Sequence, residues 1–260
     1  MKDQLHRTLH LKDTPKRIVS LVPSQTELLV DLGLENEIVG ITKFCVHPKH
    51  LRKEKTIVGG TKQVHYNKIR DLNPDLILCN KEENTKTMIT ELEHIAPVHI
   101  SDIYTIDDSL ELIEMYGDMF KVQNKAKIII DAITRKLNLF SENYTKRSPL
   151  KVAYFIWKNP YMVAANQTFI NDMLLVNHFE NVFQNSNRYP DIKLLELKEK
   201  QPDVILLSSE PYPFKISDIE DFKIVCPDAK VIIVDGEAFS WYGSRLLVAF
   251  DYFRDLQKQL

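Results

Sequence analysis

Two segments of the chain share one pattern of helix, Pro-Asp and apolar residues. Residues 66–79 read YNKIRDLNPDLILC, and residues 194–207 read LLELKEKQPDVILL. Proline ends each helical run because it disfavours a helical residue before it. The apolar residues that follow show no polar alternation, which is typical of a strand buried on both faces of a parallel sheet. The repeat therefore predicts two similar α/β lobes with a cleft between them, where a small ligand binds.

Residues 107–146 have no counterpart in this repeat. They show helical periodicity and contain no proline, with a predicted break near residues 122–124. A helix from Lys125 to about Lys146 would be roughly 33 Å long at 1.5 Å per residue. We therefore predict an α/β fold of two Rossmann-like lobes with parallel sheets, joined by one long rigid helix. The predicted parts are an N-terminal lobe at 1–122, a linking helix at 123–147 and a C-terminal lobe at 148–260.

The composition excludes several classes of protein. A formal net charge of −2 provides no basic field for nucleic acid. No apolar run approaches the roughly 20 residues that cross a bilayer, so we predict no transmembrane segment. Residues 1–17 are polar and lack the apolar core of a signal peptide. These features predict a monomer that is cytoplasmic as encoded, or periplasmic if a leader was removed.

The motifs of common enzyme classes are missing from the sequence. It contains no G-x-G-x-x-G, P-loop, G-x-S-x-G or C-x-x-C, and no paired carboxylates that indicate acid–base catalysis. We predict no catalytic residue and no intrinsic cofactor. The three cysteines give no disulfide framework, and Cys79 and Cys226 are predicted to be buried thiols.

Candidate ligand-binding residues follow the predicted strands, because ligands of open parallel sheets lie beyond the carboxyl ends of the strands. In the first lobe they are Pro23, Ser24, Phe44, His47, Gly60, Asn80 and Lys81. In the second lobe they are Trp157, Tyr161, Tyr189, Tyr212, Phe239, Trp241 and Tyr242. This aromatic bias favours a large, flat or partly apolar ligand. The alternative, that each tryptophan is only a core residue at a strand end, stays open at about even odds.

Other polar residues have structural interpretations. Cys45, His47 and His50 form a candidate metal-ligand set, but a solvated loop is the favoured interpretation, so no metal site is predicted. His47 can instead be an axial ligand to a chelated metal or a hydrogen-bond donor. Residues 24–27 match a capping box. Surface positions are predicted for His65, His94 and His99, and Arg245 is predicted to brace the last helix against a loop carbonyl.

Four motifs resemble one known family. They are RIVSLVPSQTE at 17–27, LGL at 32–34, IVGI at 38–41 and LNPDLIL at 72–78. The pattern is similar to that of the substrate-binding proteins of metal-chelate ABC importers, the helical-backbone metal receptors, and is closest to their cobalamin-binding branch. The resemblance implies a class III periplasmic-binding-protein fold. It also implies binding of cobalamin, haem or a ferric siderophore between the lobes with little closure, and an ABC permease as partner.

The resemblance also implies roles for individual positions. Phe44 falls where the cobalamin branch has a pocket tyrosine, Asn80 where it has a pocket tryptophan, and residues 237–245 over its last pocket loop. The permease-docking glutamate of the first lobe is replaced by Asn67, and that of the second lobe corresponds to Glu220 or Asp221.

Two alternatives to a receptor remain at this stage. One is a metal chelatase or tetrapyrrole-modifying enzyme on the same fold, suggested by His47 and Glu237 in loops after strands. The other is a scaffold that binds a protein partner in the cleft.

Overall fold

The computed structural model describes the chain except residues 145–147. The described residues form two compact units that are discontinuous in sequence. The first comprises Met1–Ile103, Asp107–Thr134 and Trp241–Leu246, and the second comprises Tyr104–Ile106, Arg135–Ser240 and Leu247–Leu260. The lobe boundaries given above stay predictions.

The first unit contains a fully parallel five-stranded sheet in the order β3-β2-β1-β4-β5. Its strands are β1 (Ile18–Ser20), β2 (Ile38–Ile41), β3 (Thr56–Ile57), β4 (Leu76–Asn80) and β5 (Val98–Ser101). The connecting helices are α1 (Pro23–Asp31), α2 (Leu51–Glu54), α3 (Tyr66–Asp71) and α4 (Lys86–Glu93). Strand β4 is buried at all of its positions, as its unbroken apolar run predicts.

Two helices follow β5. They are α5 (Ile106–Met119) and the 22-residue α6 (Gln123–Tyr144). The predicted break near residue 122 and the predicted long helix are confirmed, although α6 begins at Gln123. The predicted end near Lys146 lies outside the described residues.

The second unit contains a mixed sheet with the path β11-β10-β6-β7-β9, and β8 pairs with β6. Its strands are β6 (Leu150–Trp157), β7 (Tyr161–Val163), β8 (Phe179–Asn181), β9 (Asp191–Ile192), β10 (Val204–Ser208) and β11 (Lys230–Val234). Its helices are α7 (Phe169–Val176), α8 (Leu194–Lys200), α9 (Ile219–Val225) and α10 (Gly236–Ser240), and the chain closes with α11 (Leu246–Gln257).

The prediction of a parallel second sheet is wrong at one edge. Strand β7 pairs antiparallel with β6, and β9 pairs antiparallel with β7. The turn at residues 158–160 is short enough to return the chain beside β6, and a tight turn can only join antiparallel neighbours. The other pairings of this sheet are parallel.

The Pro-Asp repeat has the same conformation in both units. The residue before each proline adopts a left-handed conformation, with φ of 47° at Asn73 and 48° at Gln201. The backbone N–H of Asp75 donates to the carbonyl of Arg17, and that of Asp203 donates to the carbonyl of Lys151. Each aspartate side chain accepts the backbone N–H of that same partner, at 2.9 Å and 2.8 Å. The repeat thus fixes the start of the neighbouring strand, β1 or β6.

Two local predictions are wrong. Helix α1 begins at Pro23 with Val22 as its cap residue, so Ser24 lies inside the first turn and forms no capping box. Proline suits this first position because its φ is already helical and it lacks the N–H that would be unpaired there.

His99 is fully buried within β5 rather than exposed. The prediction that Cys79 and Cys226 are buried is confirmed.

Candidate functional site

The carboxyl ends of the first sheet bring together nine of the predicted residues within the first unit. Pro23 and Ser24 open α1 after β1. The remaining members of this set are Phe44 and His47 after β2, Gly60 after β3, Asn80 and Lys81 at the end of β4, and Trp241 and Tyr242 from the segment before α11. Their exposure varies widely: Phe44 is 49% exposed, whereas Trp241 is 8% exposed and Tyr242 4%.

Trp241 contacts two nitrogen-containing side chains, His47 and Arg245. The His47 ring meets its indole edge-on, with centroids 5.5 Å apart. The guanidinium of Arg245 lies 5.2 Å from the indole ring centroid, within range for a cation–π interaction. Arg245 also binds Glu27 through two contacts of 2.9 Å. Arg245 therefore braces this segment against a carboxylate on α1, a partner that the sequence did not predict.

The pKa of Glu27 is raised, because burial penalises its charged form more than the nearby Arg245 and His47 favour it. Arg245 Nε donates a charge-assisted hydrogen bond to Glu27, which helps to hold the guanidinium beside the indole of Trp241.

Tyr242 is held by a buried hydrogen-bond network. Gln25 donates through its Nε2 to the hydroxyls of Ser101 at 2.6 Å and Tyr242 at 2.8 Å. The hydroxyl of Tyr116 donates to Gln25 Oε1 at 2.7 Å. Burial raises the pKa of Tyr242 far above its ordinary value, so this phenol is neutral at any physiological pH.

Asn80 has a structural role in the turn after β4. Its Oδ1 accepts the backbone N–H groups of Glu82 and Glu83, and its Nδ2 donates to Ser101 Oγ at 3.0 Å. The side chain is 3% exposed. We therefore remove Asn80 from the candidate contacts, because its polar atoms are committed within the protein.

Phe44 offers the most exposed aromatic surface of the first unit's candidates. Lys43 Nζ lies 5.0 Å from its ring centroid. A Cβ at Gly60 would come within 3.2 Å of the ring, so glycine lets the ring lie against the loop after β3. Lys81 pairs with Asp102 at 2.6 Å.

The second unit places four aromatic candidates around the strand ends. Trp157, at the end of β6, is 38% exposed and meets Tyr212 at a centroid distance of 5.7 Å. The hydroxyl of Tyr161 donates to Asp221 at 3.0 Å. Tyr189 lies 5.9 Å from the guanidinium of Arg188.

The prediction that Phe239 contacts the ligand is wrong, because its side chain is buried. It has no exposed surface and packs against Tyr154 and Phe253 at centroid distances of 5.0 and 4.8 Å. Helix α10 turns this ring into the core of the second unit, so we remove it from the candidate contacts.

The Cys45–His47–His50 metal set is not assembled. Cys45 is buried, and its thiol contacts the hydroxyls of Thr26 and Thr42 at 3.1 and 3.3 Å. Burial raises the pKa of the Cys45 thiol, which disfavours the thiolate that a metal needs.

Sequence reasoning missed the polar residues that position the Trp241–Tyr242 segment. Gln25, Glu27 and Ser101 sit in or beside buried elements and contact residues up to 218 positions away. One signal was present in the sequence, because the polar run Ser-Gln-Thr-Glu at 24–27 stands between apolar residues on both sides. Polar residues in such a stretch need buried partners.

The two α/β units, the long helix α6 and the polar and aromatic strand-end loops define a solute-binding protein of the periplasmic type. The family model described as periplasmic binding protein matches residues 18–223, and the chain belongs to this family. Membership places it among binding proteins rather than enzymes, and confirms the resemblance drawn from the sequence. None of the helices among the described residues is long and apolar enough to cross a membrane.

Three relatives illustrate the similarity. An uncharacterised ABC transporter substrate-binding lipoprotein of Bacillus subtilis, YvrC, is 26% identical over 78% of this chain and 67% of its own length. A vitamin B12-binding protein of Pectobacterium carotovorum is 25% identical over 90% of this chain and 86% of its own length. The structure of the periplasmic haem-binding protein RhuT from Roseiflexus superposes with a TM-score of 0.81 at 16% identity, over 92% of this chain and 98% of that chain.

Proposed function

We propose that this protein binds a metal chelate with a large ring system, a corrinoid first, and delivers it to an ABC permease. The loop after β2 carries the proposal, because it offers the exposed ring of Phe44 and the half-buried imidazole of His47, which packs against the buried indole of Trp241. Aromatic faces of this kind suit broad, partly apolar ligands. The B12-binding relative in Pectobacterium supports the choice of a corrinoid.

Haem is the second candidate, followed by a ferric siderophore. His47 favours haem because it is half-buried, and an imidazole is a common axial ligand of haem iron. The haem-binding neighbour supports this option at the level of the fold.

The permease is proposed from the B. subtilis relative, whose description names an ABC transporter. Of the two candidate docking carboxylates in the second unit, Asp221 is bound by Lys158 at 2.7 Å and by Tyr161. Those hydrogen bonds lower the pKa of Asp221. Glu220 is exposed on the same helix, and we propose it as the docking residue.

Calorimetric titration with cyanocobalamin, hemin and a ferric siderophore tests the proposal. We expect binding of one ligand per chain, with quenching of fluorescence from Trp157 and Trp241. A Phe44→Ala variant should weaken binding about 5- to 10-fold through lost aromatic contact. Ile128→Ala, also exposed on the first unit, is the matched control. Absence of binding for all three chelates would refute the proposal.

Spectra separate the two leading ligands. If hemin binds through His47, the His47→Ala variant shifts the Soret band of the complex. If a corrinoid is preferred, cyanocobalamin binds more tightly than hemin, and the Phe44→Ala variant weakens that binding.

A further inference from the structure

Three side chains with metal-binding donor atoms converge beside β2. Glu35 opens the 3-10 turn Glu35–Glu37 that precedes the strand, His50 precedes α2, and Glu54 ends that helix. One donor atom of each lies within 4.8 Å of the others. The closest pair is His50 Nε2 and Glu35 Oε1, 2.8 Å apart.

The backbone holds these side chains in place. His50 and Glu54 are four residues apart on one helical turn, so they share a face. Between them Leu51 is fully buried and anchors the turn to the core. Lys55 Nζ donates to the main-chain carbonyl of Glu35 at 2.8 Å, which ties the two elements together without using the Glu35 carboxylate.

We propose that Glu35, His50 and Glu54 form a surface binding site for a divalent transition-metal ion of the zinc class. One imidazole nitrogen and two carboxylate oxygens are a ligand set that zinc accepts, with water in the fourth position. Bonds of about 2.0–2.2 Å place tetrahedral ligands about 3.4 Å apart. Small side-chain rotations satisfy this spacing, since the donors already lie within 4.8 Å of one another.

The surroundings select among metal ions. Calcium requires about six to eight oxygen ligands and magnesium an octahedral oxygen shell, whereas this site offers two carboxylates. Nearby positions in the sequence are basic, namely Lys49, Arg52, Lys53 and Lys55. These positive charges provide no long-range electrostatic attraction for a cation, so the affinity for the metal ion must come from direct coordination. Coordination by imidazole favours copper, zinc and nickel over calcium and magnesium.

Calorimetry with the untagged full-length chain and Zn²⁺ tests this site, with visible absorption of bound Co²⁺ as a second readout. We expect one ion per chain and loss of that binding in His50→Ala. Glu35→Gln and Glu54→Gln should each weaken Zn²⁺ binding by at least about 10-fold. Mutation of a residue that only hydrogen-bonds to a metal ligand already costs about that much affinity. His10→Ala and Glu199→Gln, both exposed, are matched controls that should bind as the parent does.

The exposed positions of His50 and Glu54 make folded variants the expectation, and circular dichroism checks this. The proposal is overturned if Zn²⁺ does not bind below about 1 mM, if His50→Ala binds as well as the parent, or if the control variants lose binding equally. Ca²⁺ binding with equal affinity would also overturn it. The experiment uses no chelate, so its result is independent of the proposed function.

Discussion

His99 makes the stability of the first unit depend on pH. Neither ring nitrogen has a hydrogen-bond partner among the residues that the structure describes, and burial lowers the pKa of His99 to about 4. At pH values between about 4 and the ordinary histidine pKa near 6.5, His99 is protonated in the unfolded chain but neutral in the folded chain. The free energy of unfolding therefore falls as the pH falls through that window, by about 3 kcal/mol in full.

His99→Leu should remove this part of the pH dependence. We expect the loss of unfolding free energy between pH 7 and about pH 4.5 to shrink by about 2–3 kcal/mol, because leucine cannot take up a proton. Urea unfolding across this pH range measures it. His94→Leu, at an exposed position, should keep the slope of the parent, and an unchanged slope in His99→Leu would contradict the argument.

Gln25 joins three buried hydroxyl groups of the candidate site. Gln25→Leu leaves the buried hydroxyls of Ser101, Tyr116 and Tyr242 with fewer partners. Each unsatisfied buried group costs about 1–3 kcal/mol, so we expect a loss of about 2–4 kcal/mol in unfolding free energy. Chemical denaturation measures this loss, and Gln63→Leu at an exposed position should change stability little.

At the scale of elements, the Pro-Asp repeat contains a strained residue that differs between its copies. Gln201 adopts φ 48° and Asn73 φ 47°, a region that costs a side-chain-bearing residue roughly 1 kcal/mol. Asparagine tolerates this conformation better than glutamine. Gln201→Gly should therefore stabilise the chain by about 0.5–1 kcal/mol, and Asn73→Gly by less. Thermal unfolding of the two variants gives the comparison, and equal or reversed effects would be inconsistent with it.

The aspartates of the repeat should act locally. Asp75→Ala removes the acceptor of the Arg17 N–H, and Asp203→Ala removes that of Lys151. Hydrogen exchange should accelerate in β1 for the first variant and in β6 for the second, because each loses the bond that starts its strand. Each variant serves as the control for the other, and faster exchange in both strands of either variant would argue against a local effect.

This repeat also explains what the sequence could reveal about the fold. Proline, aspartate and an unbroken apolar run act through local backbone rules, so both helix ends and both buried strands were predictable. The antiparallel placement of β7 depends on a short turn that also reads as an ordinary loop. The start of α1 was misjudged because a serine with a glutamate three residues later matches a capping box, while Pro23 satisfies the first helical position without one.

For the molecule as a whole, the position of the candidate residues was predictable and their roles were not. Ligands of parallel sheets bind beyond the strand ends, and this rule places Phe44 and His47 in the loop after β2, where the structure has them. Trp241 was assigned to a loop of the second lobe, whereas the structure places it after helix α10 and within the first unit. Periodicity cannot show which way a ring after a strand turns, so buried Phe239 and half-exposed Trp157 looked alike. The pairing of Glu27 with Arg245 joins residues 218 positions apart, and no local pattern contains it.

A bound chelate should raise the thermal stability of the chain. At a free concentration about 100-fold above its Kd, a ligand that binds only the folded state adds about 2.7 kcal/mol. For a chain of this size that corresponds to a Tm increase of about 5–10 °C. Differential scanning fluorimetry with cyanocobalamin, hemin and a ferric siderophore measures it.

Phe44→Ala separates this linkage from a change in the folded protein itself. Because the ring is 49% exposed, the unliganded Tm should stay close to that of the parent. A tenfold weaker affinity at the same ligand concentration lowers the linkage free energy to about 1.4 kcal/mol, so the Tm increase should be about halved. Ile128→Ala should keep the full increase. A full increase in Phe44→Ala would remove this ring from the binding site, whereas no increase with any chelate would contradict chelate binding itself.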